Sequence, residues 1–279
     1  MVTFGGNVAA SYAIHAIDRS ADSVMIGWYW GAHLLGLYSR AYNLLMLPVR
    51  QLSAPSGSVA VPAFSRLQND PERFARYYLR LANLMMWITT PIFGFLVVAA
   101  QPVILLVLGR QWGGAAPVFQ ILVFSALGQL LFESVVWLFI SRGESGRLLK
   151  LLIVITPIIV GSFAIGLPFG IKGVALSGSV VLIVIFPWVL KYAFRGTQLS
   201  LQRLGQAILC PIALSVGAIV LAELALRLMA PQGIVAQLLV TAGAFAAAYL
   251  LSMLVPPVRA EAMEMRKLLN ELRLSRQTA

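Results

Sequence analysis

Polar and charged side chains recur at helical spacing near the start of this 279-residue chain. Asn7, Ser11, His15, Asp18 and Asp22 follow one another at intervals of four, four, three and four residues. At 100° per residue they share one helix face, within a wedge of about 80°. Such a face could meet water, polar groups of the protein or a substrate, although His15 could also be a buried histidine that donates to a neighbour.

Two later apolar segments carry polar faces of the same kind. In the second segment the positions that adjoin on one face are Arg40, Asn43, Arg50 and Gly57. In the fourth segment Ser125, Gln129 and Glu133 follow at four-residue spacing. An ionised side chain at membrane depth costs on the order of 3 kcal/mol and therefore usually faces a bundle interior or a wet cavity. The three polar faces predict one shared interior.

The charged residues also allow a structural interpretation. Arg19 lies beside the first stripe and could pair with Asp18 or Asp22, and Glu133 could pair with Arg50. Intramembrane pairs of this kind often fix helix packing. A packing pair needs only two residues, whereas the polar positions here run along most of a helix, so the set as a whole favours a solvated pathway.

Three prolines interrupt the second apolar segment, at Pro48, Pro55 and Pro62. They are seven residues apart, which is two helical turns, so they lie on nearly one face. Each proline removes a backbone hydrogen bond and loosens the helix, while Gly57 permits close approach of another helix. These four residues predict either a flexible hinge or a static bend that shapes the bundle.

The elements that would position these side chains are membrane-spanning helices. The chain is 59% hydrophobic and 11% charged, with a mean hydropathy of +0.86, and this is a polytopic membrane composition. A bilayer core of about 30 Å needs roughly 20 helical residues. This length predicts an all-α bundle of eight spans, at approximately 5–27, 36–64, 79–100, 115–140, 148–168, 173–194, 204–228 and 233–255. The apolar run 102–109 is too short to span and is expected to lie at the membrane surface or to re-enter.

Basic residues alternate between the two sides of the predicted bundle. Fifteen Lys and Arg residues lie after spans two, four and six and in the C-terminal tail, against three in the alternate connections. The positive-inside rule therefore predicts that both termini are cytoplasmic. Residues 257–279 are predicted to form an amphipathic cytoplasmic tail helix.

Several function classes find no support in the sequence. The net charge of +11 comes from short clusters between apolar spans, so nucleic-acid binding, which needs a contiguous basic face, is not expected. The single cysteine, Cys210, excludes an intrachain disulfide and a Cys-based metal site. Nucleotide-binding and metalloprotease motifs are absent, and Asp70 before Pro71 is better explained as a helix N-cap. We therefore expect neither an enzyme, a metal site nor a bound cofactor.

The segment 18–80 resembles a known transporter family. It combines DSVMIG at the end of span one, GLYSRAY at the start of span two and PAFSRLQNDPERF at its end. These motifs resemble the polysaccharide transporter family, the bacterial O-antigen and exopolysaccharide flippases of the multidrug/oligosaccharidyl-lipid/polysaccharide exporter superfamily. LGRQWGGAAPVFQIL and GLPFGIKGVALS continue the resemblance more weakly.

The resemblance implies the fold and the extent of the chain. Members form a two-lobed helix bundle with extra helices at its end. This chain would supply the C-terminal six-helix lobe (1–198), two additional spans (199–256) and the cytoplasmic tail (257–279). The first lobe would be missing, so the chain is expected to be a fragment of a longer protein or a half-transporter that associates with a partner chain.

The resemblance also implies the activity, which is flipping of an undecaprenyl-diphosphate-linked oligosaccharide across the bacterial inner membrane, among membrane lipids. The residues expected to bind this substrate are Arg19, Arg40, Asn43, Arg50 and Gln129. A guanidinium suits the diphosphate because it binds phosphate bidentately and keeps its charge when desolvated. The residues expected to couple transport to H+ or Na+, or to balance the arginines, are His15, Asp18, Asp22 and Glu133.

Three alternatives remain at this level. A cation-coupled exporter of small amphiphiles would prefer a cavity with carboxylates and aromatic walls over one rich in arginine. A membrane-embedded polysaccharide polymerase or glycosyltransferase subunit would need a long outer loop or a catalytic acidic motif. A purely structural membrane subunit would account for the missing lobe.

Overall fold

The computed structural model describes residues 2–252, with side chains from residue 4 onward, and this part of the chain is helical without a strand. The helices are α1 (Val2–Leu67), α2 (Pro71–Val98), α3 (Ala100–Val107), α4 (Ala116–Ser141), α5 (Ser145–Gly166), α6 (Gly170–Ala193), α7 (Leu201–Met229) and α8 (Ile234–Ser252). Two 3₁₀ turns, Arg110–Ala115 and Leu167–Phe169, complete the description. The predicted all-α bundle is confirmed, and the predicted tail helix at 257–279 lies outside the described residues.

Helix α1 is a hairpin of two antiparallel arms, residues 2–30 and 32–67. Gly31 has φ 80° and ψ 179°, a backbone conformation that essentially only glycine adopts. The Tyr38 hydroxyl contacts the Asp22 carboxylate at 2.6 Å. In a straight helix two residues sixteen apart would be separated by about 24 Å along the axis. The chain therefore reverses at Gly31, between the two spans predicted from the sequence.

Within residues 2–252, five helical stretches are long and apolar enough to cross a membrane: Pro71–Val98, Arg110–Ser141, Ser145–Ala193, Leu201–Met229 and Ile234–Ser252. The stretch Ser145–Ala193 contains both α5 and α6, which pack against each other as a hairpin. The arms of α1 are not among the five stretches because their polar faces lower the mean hydropathy. The chain is a multi-pass membrane protein, and the eight predicted spans coincide with the two arms and with α2 and α4–α8.

The core lies where the arms of α1 pack against α4 and α5, and where α6 packs against α4 and α5. Its largest fully buried side chains include Tyr38, Phe64 and Tyr78. Helices α7 and α8 join this core through α2, where the Thr90 hydroxyl donates to the Pro211 carbonyl at 3.1 Å. The division into a six-span lobe and two added spans stays a prediction.

Two local predictions are clear in the structure. Asp70 caps α2, since its Oδ1 accepts a hydrogen bond from the Arg73 backbone N–H at 3.0 Å, and Pro71 begins the helix. The short apolar run that was expected not to span forms the eight-residue helix α3. At 1.5 Å per residue it is about 12 Å long, too short to cross a bilayer core of about 30 Å.

Candidate functional site

The polar face of the first arm of α1 lines a cavity with an empty volume of about 960 Å³, open solvent included. The polar and aromatic lining residues on α1 and α4 are His15, Asp18, Arg19, Asp22, Tyr38, Tyr42, Ser125, Gln129 and Phe132. Apolar side chains of α5 and α6, among them Leu152, Ile155 and Leu182, form the opposite wall. The cavity is therefore amphipathic, with charges on α1 and a hydrocarbon surface on α5 and α6.

Two further cavities, of about 660 and 680 Å³, adjoin the same helix. Ser11, His15 and Glu133 contribute to one of them, and Arg50, Gln129 and Glu133 contribute to the other. Arg19 lines all three cavities. Polar positions on both arms of α1 and on α4 thus surround a single guanidinium group.

Arg19 pairs with Glu133 of α4, with Nη2 and Oε1 separated by 3.4 Å. The side chains are 44% and 22% exposed, so the guanidinium keeps a large accessible surface. The pairs expected from the sequence, Arg19 with Asp18 or Asp22 and Glu133 with Arg50, are not the ones formed. Adjacent helix residues such as Asp18 and Arg19 point about 100° apart and do not face each other.

Asp22 is held inside the bundle by both arms of α1. Its side chain is buried, Oδ2 accepts the Tyr38 hydroxyl hydrogen at 2.6 Å and Oδ1 accepts the Ser23 backbone N–H at 2.5 Å. A buried carboxylate needs such donors because an unpaired one costs several kcal/mol. Asp22 therefore both lines the cavity and fixes the hairpin.

His15 and Asp18 form a looser pair on the cavity wall. Nδ1 of His15 is 3.7 Å from Oδ2 of Asp18, which is longer than a hydrogen bond. Within residues 2–252, Nδ1 of His15 and Oδ1 of Asp18 are buried without a hydrogen-bond partner. The described residues hold no group of three His, Cys, Asp or Glu side chains that could bind a metal ion.

Arg40 and Asn43 lie apart from the other predicted site residues. The Arg40 guanidinium stacks over Trp112 at 5.3 Å, and neither Arg40 nor Asn43 lines any of the three cavities. Ten residues separate Arg40 from Arg50, or about 15 Å along the helix axis. A shared helix face therefore does not place both arginines at the same depth.

The backbone of α1 breaks at Gly31 and stays helical through Pro48, Pro55 and Pro62. Gly57 provides close approach to α4, since a Cβ there would lie 2.9 Å from Nε1 of Trp137. The predicted close approach at Gly57 is confirmed. Hinge motion at the prolines stays a prediction.

Sequence reasoning missed the aromatic and apolar parts of the cavity. Tyr38 and Tyr42 stack in parallel with ring centroids 6.5 Å apart, and their four-residue spacing was the available signal. No role was predicted from the sequence for the apolar residues of α5 and α6. No periodic signal distinguishes an apolar cavity wall from an apolar core.

Residues 1–117 match a family model described as "Polysaccharide biosynthesis protein". This part of the chain is therefore similar to polysaccharide biosynthesis proteins, which supports the resemblance read from the sequence. The teichuronic acid biosynthesis protein TuaB of Bacillus subtilis is 22% identical over 51% of this chain and 30% of its own length. The lipopolysaccharide biosynthesis protein WzxC of Escherichia coli is 28% identical over 43% of this chain and 24% of its own length.

The succinoglycan biosynthesis transport protein ExoT of Rhizobium meliloti is 25% identical over 44% of the chain. The chain spans less than a third of the length of these curated relatives. No solved structure matches the chain. The similarity falls on the arms of α1, α2 and α3, which include the charged side of the cavity.

Proposed function

We propose that this chain is the C-terminal part of a flippase that moves a lipid-linked oligosaccharide across the bacterial inner membrane for polysaccharide or lipopolysaccharide biosynthesis. The observation that carries the proposal is the amphipathic cavity system around Arg19, in a chain whose first 117 residues match polysaccharide biosynthesis proteins. A lipid-linked oligosaccharide has a charged diphosphate, a polar sugar and an apolar chain. The cavity offers a surface for each of them.

The diphosphate is assigned to Arg19 and Arg50, which line one cavity together. Guanidinium groups bind phosphate oxygens through two parallel N–H bonds and remain charged when desolvated. Gln129 lies in the same cavity and can donate to and accept from sugar hydroxyls. Glu133 balances the charge of Arg19, and the substrate phosphate would replace it as the partner.

We assign the coupling role to His15, Asp18 and Asp22. The incompletely paired His15 and Asp18 could take up a proton or Na+ without first breaking a strong ion pair. An imidazole changes its charge in the physiological pH range. Uptake of a cation there would change the charge beside Arg19, and this would link ion movement to substrate binding.

We propose that both termini are cytoplasmic. The Ser65 hydroxyl donates to the Ser141 carbonyl and Arg142 donates to the Gly196 carbonyl, each at 3.4 Å. The basic connections after α1, α4 and α6 therefore lie at one end of the bundle. The positive-inside rule assigns that end to the cytoplasm.

The functional transporter also needs a first lobe, supplied by a longer polypeptide or by a partner chain. One lobe gives alternating access only if a second surface can close against its cavity. The charged wall on α1 and α4 would then face that second lobe across the substrate. Export would depend on both halves.

Leaflet transfer tests the proposal directly. Inverted membrane vesicles from cells that require this chain for polysaccharide export would be supplied with a fluorescent polyprenyl-diphosphate sugar. We expect the probe to become protected from a membrane-impermeant quencher only when the chain is present. Sugar polymerisation without transfer between leaflets would refute the flippase and favour an enzyme subunit.

A further inference from the structure

We propose that the basic end of the α5–α6 hairpin binds the headgroup phosphate of an anionic phospholipid. This site lies on the exposed surface of the bundle, and its cations line none of the three cavities around Arg19. The cationic side chains involved are Lys150 on α5, Lys191 on α6 and Arg195 just beyond α6. All three are exposed, and within residues 2–252 none forms an ion pair.

Exposed side chains follow one another along the length of α6, and we interpret this stripe as a lipid-facing surface. Its members are Lys172, Leu176, Val180, Val184, Trp188 and Lys191. Their spacing of three or four residues makes the stripe continuous along the helix while it turns by about 160° around the axis. Lys172 and Lys191 are about 28 Å apart along the axis, which matches a hydrocarbon core of about 30 Å. Each lysine therefore lies at headgroup depth, in opposite leaflets.

An aromatic pair marks the boundary between apolar chain and headgroup at the Lys191 end. Trp188 and Tyr192 stack with centroids 6.0 Å apart, and Arg195 lies over the Tyr192 ring at 5.7 Å. Tryptophan and tyrosine concentrate at membrane–water interfaces because one end of each side chain is apolar and the other polar. The order along the surface is apolar, aromatic, cationic, as in a phospholipid from acyl chain to phosphate.

The turn beneath the cationic groups is held by ion pairs and carries excess positive charge. Glu144 accepts from Arg142 at 2.9 Å and from Arg147 at 2.6 Å, so two arginines share one carboxylate. Arg147 also donates to the Tyr192 carbonyl at 2.9 Å, which ties the start of α5 to the end of α6. Lys150 lies one helical turn from Arg147. The exposed cations of α5 and α6 are therefore held at a similar depth along the bundle.

The opposite end of the same stripe offers a matched control. Lys172 is exposed at the start of α6, but it stands alone there on the stripe. A single surface cation attracts an anionic headgroup weakly, and the attraction grows by about 1 kcal/mol for each added Lys or Arg. Anionic lipid should therefore gather at Lys191 and Arg195 and not at Lys172.

Native mass spectrometry of the purified full chain would test this site. Phosphatidylglycerol would be titrated in non-ionic detergent, with phosphatidylcholine and inorganic phosphate as separate arms. The doubly substituted variant Lys191→Gln, Arg195→Gln should bind phosphatidylglycerol roughly 30-fold more weakly, while Lys172→Gln should bind it as the parent chain does. Thermal unfolding should be nearly unchanged because both replaced side chains are exposed.

Three results would overturn the proposal. The double variant could bind phosphatidylglycerol as tightly as the parent chain, which would leave only a topological role for the basic residues. Lys172→Gln could weaken binding as much as the double variant, which would indicate general charge attraction. Inorganic phosphate could displace phosphatidylglycerol when both are present at the same concentration. That result would identify a site for free anions in place of a lipid site.

Discussion

Replacement of Arg19 by glutamine would distinguish a role of this residue in substrate binding from a role in helix packing. The guanidinium lines all three cavities and is 44% exposed, and its partner Glu133 lies 3.4 Å away. A hydrogen bond to a charged group contributes about 1.5–3 kcal/mol, and 1.4 kcal/mol is tenfold in affinity. Arg19→Gln should therefore weaken binding of undecaprenyl diphosphate roughly 10- to 100-fold.

The packing contribution of the same pair should be much smaller. Ion pairs with this much solvent exposure stabilise a fold by about 0.2–1 kcal/mol, which corresponds to a change in Tm of at most about 2–4 °C. Arg19→Lys keeps the charge but loses bidentate geometry, so its affinity should fall between those of the parent chain and Arg19→Gln. Thermal unfolding in detergent would verify that each variant is folded.

Glu133→Gln is the matched control, because it breaks the same ion pair and leaves the guanidinium in place. We expect this variant to bind undecaprenyl diphosphate at least as tightly as the parent chain, since Arg19 no longer has a competing anion. Binding would be measured with a fluorescent polyprenyl diphosphate in nanodiscs. Equal losses of affinity in Arg19→Gln and Glu133→Gln would show that the pair is structural and would refute the substrate-binding role.

Three further predictions test the cavity and the α1 hairpin. Arg50→Glu should abolish polysaccharide export in a complemented deletion strain while membrane insertion stays normal, whereas Arg40→Gln, outside the cavities, should reduce export far less; equal losses would contradict the cavity assignment. Gly57→Ala should cost about 1–3 kcal/mol by overpacking against Trp137, measured by thermal unfolding, and a Trp137→Ala background should remove most of that cost. Gly31→Ala should destabilise the hairpin by about 1–3 kcal/mol, because φ of +80° is strained for alanine, and an unchanged Tm would contradict the observed turn.

Hydropathy and spacing predicted the positions of the spans and much of the candidate site. His15, Asp18, Asp22 and Gln129 line a common cavity system with Arg50, whereas Asn7 of the first polar face lines none of the three cavities. Two residues placed on the same helix face by their spacing, Arg40 and Asn43, lie outside it. Spacing fixes the direction of a side chain, while its depth along the bundle depends on how neighbouring helices are aligned.

The identity of the contact partners could not be read from the chain. Arg19 and Glu133 are 114 residues apart, and several carboxylates lay within reach of Arg19 when only sequence spacing was considered. The choice among them depends on which helix packs against α1 and on the competing hydrogen bond that Tyr38 donates to Asp22. Those are properties of helix packing, which local periodicity does not encode.

The amino-acid sequence by itself determined the membrane environment, the positions of the helices and the helical faces that carry charge, because these follow from composition and from the 3.6-residue period of the helix. Asp70 and Pro71 likewise begin α2 through contacts within four residues of chain. Only the tertiary structure decided that α1 reverses at Gly31, that Arg19 pairs with Glu133, and that α5 and α6 supply the apolar wall. Each of these depends on contacts between segments distant in the sequence.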